Sequence, residues 1–265
     1  MNTIRRQSKG QASVRRNLFY YELRNVFGNW FALAFGGIFP WLMAIIISRT
    51  ALSNVPDAYR SAAVTGVVLS FAQLVPMAGI FLGHTATYAK ELEDRVPVRM
   101  QLFGFSQRDM LLAKMQAQLV FQTIALTLHF ALLYPILRYD LPSPGGLLGY
   151  LLAIYVLAMI YFVFAHGIAN FFCKFGPAYG VSMLLYFVFM ILGGMMGIQQ
   201  SMLPAALARI SQLLPPTLLS QPAITSLWTG GGYNFAPLAQ AMLFFGALAF
   251  LVLCASFFYR RNRAY

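Results

Sequence analysis

The residues of this sequence that could do chemistry are few and scattered along the chain. His84, His129 and His166 have no spacing typical of a metal site, and no carboxylate pair or nucleophile with an adjacent base accompanies them. Cys173 and Cys254 fall in apolar stretches without metal-ligand spacing, so we interpret them as packing residues rather than as a disulfide. The sequence therefore predicts neither a catalytic site nor a metal site.

The composition is that of an integral membrane protein. Hydrophobic residues make up 59% of the 265 residues and charged residues 10%, whereas charged residues make up about 25% of a soluble domain. The chain is long enough for about six helical spans of about 20 residues. No stretch has the composition of a separate soluble domain, so we predict a single transmembrane domain over residues 1–265.

The hydropathy pattern predicts an all-α bundle over residues 30–259. Its six spans are predicted at 30–48, 62–84, 115–137, 147–172, 178–198 and 237–259. Of the 19 Lys and Arg residues, 15 fall on the side that holds both termini. The positive-inside rule assigns that side to the cytoplasm of a cell membrane. The formal charge of +12 thus reflects topology, and we expect no nucleic-acid partner.

Basic segments flank the bundle at both ends. Residues 1–17 contain few apolar groups, so we expect a cytoplasmic arm that is disordered in water. Residues 18–29 alternate aromatic and polar side chains, which predicts a short interfacial helix among membrane lipids. Residues 260–265 form a basic cytoplasmic tail.

A charged, amphipathic segment separates the second and third spans. Between residues 88 and 103, apolar residues recur every three or four positions, with charged residues around them. Pro97 removes a backbone donor and disfavours helix at Val96, so we predict a kinked helix or two short ones. Ser106 and Asp109 match a helix N-cap that leads through Lys114 into the third span. An ordinary solvated loop helix is the alternative.

A second unusual segment, residues 199–236, is long and nearly uncharged. Its prolines divide it into pieces too short to span a membrane, with helices predicted at 205–214 and 222–228. We interpret these as outer re-entrant or interfacial helices. An outer loop that only covers the bundle is the alternative.

The polar residues within the predicted spans are mild, and no Asp, Glu or Lys lies deep in any of them. Carriers coupled to protons or sodium place ionisable groups at mid-membrane, so this pattern argues against self-powered transport. A channel would show a charged or carbonyl-rich filter, and we find no such signature.

The order of these parts resembles the membrane subunit of type-2 ABC exporters along nearly the whole chain. The best local match is KELEDRVPVRMQLFGFSQRDMLLAK, in which acidic residues precede an apolar helix, a turn and a lysine. The chain has Arg95-Val96 where many relatives have Gly-Thr, and Gly104-Phe105-Ser106 where a proline-containing turn is common. These departures leave the subfamily and the substrate open.

The resemblance implies an ATP-driven exporter of an amphipathic drug, lipid, glycan or peptide. It implies a dimer, homomeric or heteromeric, of permease subunits bound to separate nucleotide-binding ATPase subunits. This sequence has no G-x-x-x-x-G-K-[ST] phosphate loop, so we expect no cofactor in this chain and ATP with Mg on the partner. A membrane-embedded enzyme and a channel or scaffold are the alternatives.

The resemblance also assigns roles to two groups of residues. It identifies residues 88–103 as a coupling helix, which we expect to transmit movement without contributing to the membrane fold. The coupling residues are Tyr88, Glu91, Glu93, Arg95, Val96, Arg99, Leu102 and Phe103. We place a substrate pathway at a dimer seam between spans 2 and 5, although the same residues are also typical of packing. The pathway residues are Phe71, Gln73, Met77, Ser182, Tyr186 and Met190.

Overall fold

The computed structural model describes residues 2–50, 52, 55–195 and 202–261, with the backbone alone for residues 2–14 and 261. Within these ranges the chain forms helices and no strand. Six helices are long and apolar enough to cross a membrane. They are α2 (Trp30–Thr50), α3 (Asp57–Glu93), α5 (Gln107–Leu137), α6 (Pro144–Phe172), α7 (Phe175–Leu192) and α11 (Ala236–Arg261). The all-α, six-span architecture predicted from the sequence is confirmed.

Helix α3 forms the centre of the bundle. Of its apolar stretch 83% is buried, against 28% for α2 and for α11. It is longer than the predicted span 62–84, because the charged residues as far as Glu93 continue the same helix. The charged segment that begins at Tyr88 is therefore joined to the central helix without a loop.

Helices α2 and α3 each contain a wider π-helical turn, at Ala34–Ile38 and Met77–Leu82. The two turns meet through glycines: a Cβ atom added at Gly36 would lie 3.0 Å from the backbone nitrogen of Gly79. A Cβ atom added at Gly79 would lie 2.6 Å from the ring of Phe121 on α5. Glycine permits this close approach of three helices because it has no side chain.

The N-terminal helix α1 (Asn2–Phe27) differs from its prediction. The structure has one helix where we expected disorder over 1–17 followed by an interfacial helix over 18–29. Arg, Gln, Lys and Ala in the arm are good helix formers, and Arg15 pairs with Asp109 on α5 at 2.9 Å. Leu18 and Val26 of the same helix are buried against the bundle.

Two other helix boundaries differ from their predicted positions. The fifth span ends at Leu192, and the end of the predicted range 178–198 lies outside the described residues. The segment predicted at 199–236 contains three short helices, α8 (Ala205–Ser211), α9 (Pro215–Leu219) and α10 (Ala223–Thr229); its residues 199–201 also lie outside the described ranges. Helix α8 stops before the predicted residue 214 because Leu214 is extended ahead of Pro215.

The last two of these short helices, α9 and α10, pack as part of the bundle, whereas α8 is mostly exposed. Leu219, Ile224 and Trp228 are buried, and the Trp228 indole donates to the carbonyl of Asp140 at 2.7 Å. A Cβ atom added at Gly146, in the first turn of α6, would lie 2.2 Å from the Leu227 carbonyl oxygen. Whether the segment is re-entrant stays a prediction.

Candidate functional site

The charged segment divides into two helices, as Pro97 predicts. After α3 ends at Glu93, Arg95 adopts a left-handed conformation with φ of 55°, and α4 (Val96–Leu102) begins with Pro97 in its first turn. Gly104, with φ of 86°, ends α4. The Ser106 hydroxyl then accepts a bond from the Asp109 amide at 3.0 Å, so α5 begins at the predicted cap.

The far end of α4 presents large apolar side chains to the surface. Leu102 is 83% exposed and Phe103 is 81% exposed, and Val98 is exposed on the same short helix. Tyr88, Leu92, Val96 and Met100, by contrast, are partly buried. The predicted stripe is therefore divided: its first residues face the bundle, and its end is available for contact.

A buried ion cluster anchors the base of this segment. The Lys114 ammonium donates to both carboxylate oxygens of Glu22, at 2.8 and 2.9 Å, and to Glu91 at 2.7 Å. Both the Lys114 and Glu22 side chains are less than a tenth exposed. Because a buried charge is costly unless it is paired, these contacts tie α1, α3 and α5 into one unit.

The two acidic residues that we assigned to the partner interface have partners within the chain. Glu91 bonds Lys114, and the Glu93 carboxylate accepts a bond from the Phe175 amide at 3.0 Å at the start of α7. A carboxylate at a helix N-terminus stabilises that helix. The expectation that residues 88–103 do not contribute to the membrane fold is therefore wrong for these two.

The basic residues of the segment are exposed. The Arg99 guanidinium donates to the Asp94 carbonyl at 3.2 Å, and no bond or ion pair of the Arg95 side chain occurs among the described residues. Their assignment to coupling stays a prediction, as does that of Val96.

An aromatic stack lies next to the ion cluster. The Tyr88 ring stacks on His166 of α6 with centroids 4.3 Å apart, and one nitrogen of His166 lies 3.4 Å from a ring nitrogen of His84. Lys114 lies 5.9 Å from the Tyr88 ring centroid. Tyr88 thus contacts both the ion cluster and α6, and its assignment to coupling stays a prediction.

All the predicted pathway residues lie inside the subunit. Helix α7 packs against the π-helical turn of α3, so the structure does bring spans 2 and 5 together. Each of the six residues is buried to at least 97%: Phe71, Gln73, Met77, Ser182, Tyr186 and Met190. A seam or pathway that uses them requires these helices to separate, and the assignment stays a prediction.

Three of these residues carry buried polar atoms with no protein partner among the described residues. The Gln73 amide donates to Ser220 at 3.0 Å, but its oxygen is unpaired, as are the hydroxyls of Ser182 and Tyr186. Such atoms cost about 1 to 3 kcal/mol each and are uncommon in native proteins.

Sequence reasoning missed the ion cluster. From the sequence we expect Glu22 in an interfacial helix and Lys114 at the entry to the third span, with no contact between them. The available signal was a Glu before the first span and a Lys before the third span, on the same predicted side of the membrane, since charges near an apolar bundle need partners. Among the described residues there is no group of three metal-ligating side chains.

The fold and the site define a multi-pass helical membrane protein whose central span is followed by a short, partly exposed connecting helix. Residues 16–226 match the family model for the ABC-2 type transporter. The match covers well over half of the chain, so this protein belongs to the ABC-2 type transporter family and is a permease component of an ABC transporter. A search of curated proteins found no match.

Proposed function

We propose that this chain is the permease subunit of an ATP-driven exporter in the cell membrane, with both termini in the cytoplasm. A separate ATPase subunit, which binds ATP and Mg, supplies the energy, and a second permease subunit completes the pathway. The substrate is an amphipathic molecule. Family membership supports the transport role, and the 15-to-4 partition of basic residues supports the orientation.

The exposed end of α4 is the observation that carries the proposal. Two side chains more than 80% exposed, Leu102 and Phe103, stand at the end of a short helix between the central span and the third span. Apolar anchors of this kind dominate the energy of protein interfaces. Arg99, one turn before them, and Arg95, at the other end of α4, are suited to fix the register of a docked partner.

The ion cluster fixes the last turn of α3, and α4 follows that turn after Asp94 and Arg95. Movement of α4 by the ATPase reaches α3 through Arg95, and it reaches α1 and α5 through Glu91, Lys114 and Glu22. We infer that Glu91, Glu93 and Tyr88 position the coupling helix, whereas Leu102 and Phe103 contact the partner.

The unpaired polar atoms of Gln73, Ser182 and Tyr186 favour a pathway along α3 and α7. When the two helices separate, these atoms become available to water and to the polar part of a substrate. Phe71, Met77 and Met190 offer apolar surface beside them, and methionine adapts to varied shapes.

The test uses Leu102→Ala and Phe103→Ala, with Leu141→Ala as control because Leu141 is also exposed but lies in the loop before α6. The ATPase for the test is sought among the neighbouring reading frames by its phosphate loop. We expect unchanged melting of the isolated permease and a docking affinity weaker by about 1 to 3 kcal/mol for each α4 variant. Normal complex formation and normal ATP hydrolysis in both α4 variants would refute the coupling role.

A further inference from the structure

A cavity of about 750 Å³ lies between α1, α4 and the start of α5, next to the last turns of α6 and α11. This volume is in the range of sites that bind small molecules. The charged residues of its lining are four cations and two carboxylates, a net of two positive charges: Arg95, Arg108, Lys114, Arg260, Glu22 and Glu91.

The positive charge of the cavity is available to a ligand. Both carboxylates are already bonded by Lys114. Arg260 contacts the neutral amide oxygen of Asn170 and so retains its full charge. The side chains of Arg95 and Arg108 have no ion pair in the described part of the chain. Guanidinium groups bind phosphate through paired, planar contacts, so the cavity fits a phosphate-bearing anion.

One side of the cavity continues into apolar surface. Phe257 lines the cavity and is 55% exposed, and it lies one turn before Arg260 on the last span. Phe250, two turns further into the span on the same face, is also exposed. A ligand with its phosphate at Arg260 would therefore have apolar surface for a hydrocarbon chain along α11.

We propose that this cavity binds the headgroup of an anionic phospholipid from the cytoplasmic leaflet. Basic pockets between membrane helices on the cytoplasmic side bind such headgroups, and the leaflet follows from the orientation proposed above. Arg108 and Arg260 contact the phosphate, and Phe257 contacts the first part of an acyl chain. Glu91 and Val96 also line the cavity, so a bound lipid contacts both the ion cluster and the coupling helix.

The experiment measures lipid binding alone and needs neither the ATPase nor transport. Purified permease in detergent is titrated with short-chain phosphatidylglycerol, short-chain phosphatidylcholine or glycerol phosphate, and bound molecules are counted by native mass spectrometry. The variants are Arg108→Gln and Arg260→Gln. Arg24→Gln is the matched control, because Arg24 is exposed on α1 but does not line the cavity.

We expect saturable binding of phosphatidylglycerol and weaker binding of phosphatidylcholine. Each cavity variant should weaken the binding of phosphatidylglycerol about fivefold, which is the effect of one basic residue near an anionic surface. Arg24→Gln should leave this affinity unchanged. Equal binding of the two lipids, or an unchanged affinity in both cavity variants, would overturn the proposal. Competition by glycerol phosphate at the lipid's own concentration would assign the site to a soluble phosphate and overturn the lipid assignment.

Because Arg108 is exposed and its side chain has no ion pair among the described residues, Arg108→Gln tests the site even if Arg260→Gln fails to fold. A failure here leaves the proposed transport role intact, since that role is tested by ATPase docking at Leu102 and Phe103.

Discussion

Lys114 donates to both carboxylate oxygens of Glu22, at 2.8 and 2.9 Å, across 92 positions of sequence. Glu91 accepts the third bond at 2.7 Å. Two carboxylates share one ammonium, so the cluster carries one negative charge in a buried setting. Removal of the ammonium would leave two adjacent carboxylates without a cation.

We therefore expect Lys114→Met to be strongly destabilising. The loss of one partner from a buried ion pair costs about 3 to 5 kcal/mol, measured here as the unfolding free energy of the purified permease in detergent. Lys90→Met is the control: Lys90 pairs with Asp94 at 3.4 Å on the surface, and exposed pairs contribute at most about 1 kcal/mol.

A triple variant tests whether the lost stability comes from the two carboxylates left without a cation. Replacing Glu22 and Glu91 by Leu together with Lys114→Met should restore much of the lost stability, because apolar residues of similar volume substitute well for buried ion pairs. Equal stability of Lys114→Met and Lys90→Met would contradict the cluster's structural role.

The sequence predicted the elements that depend on local signals. The apolar runs located six spans, Pro97 located the break before α4, and Ser106 located the start of α5. These features depend on a few neighbouring residues, through hydropathy, the proline ring or a side-chain cap. They can therefore be read without knowledge of the fold.

The ion cluster and its neighbouring contacts could not be predicted, because no local sequence signal specifies them. Glu22 and Lys114 meet because α1 packs along α5, and Glu93 meets the Phe175 amide because α3 ends beside the start of α7. The π-helical turns were also missed. They lie where the backbones of α2 and α3 meet at Gly36 and Gly79, and that contact depends on how the two helices pack. Pairing between distant helices decides all three features.

The glycine contact predicts a steric effect at Gly79. A Cβ atom would lie 2.6 Å from the Phe121 ring, so Gly79→Ala must displace α5 or the ring, at a cost of about 1 to 3 kcal/mol. Gly37→Ala is the control, because no atom lies within 4 Å of its added Cβ and alanine favours helix over glycine. Thermal unfolding of both variants checks this; equal melting temperatures would contradict the close packing.

The proposed orientation, with both termini in the cytoplasm, predicts which single cysteines react from outside the cell. In a Cys173→Asn, Cys254→Ala background, an impermeant thiol reagent should label Gln212→Cys in intact cells, and Ser106→Cys only after lysis. Asn is chosen because residue 173 has φ of 52°, which Asn tolerates. Labelling of Ser106→Cys alone in intact cells would reverse the topology.

The proposed pairing of two permease subunits makes the most discriminating prediction. Helix α7 has a buried face with Ser182 and Tyr186, and an exposed face that carries Gly180 and Leu184. No atom lies within 4 Å of a Cβ added at Gly180, and small residues on membrane helices allow close helix contact. In the packed state of this structure, we therefore expect the exposed face to meet the second subunit.

Cysteines at the two faces distinguish the packed seam from an opened pathway. Leu184→Cys should cross-link between subunits in the absence of nucleotide, whereas Tyr186→Cys should cross-link only when ATP binding separates α3 from α7. Cross-linking is measured on denaturing gels of membranes that contain the ATPase, in the cysteine-free background. Cross-linking of Tyr186→Cys without nucleotide would contradict this arrangement, and so would the absence of cross-linking at Leu184→Cys in every nucleotide state. Either result would mean that the exposed face of α7 does not meet the second subunit.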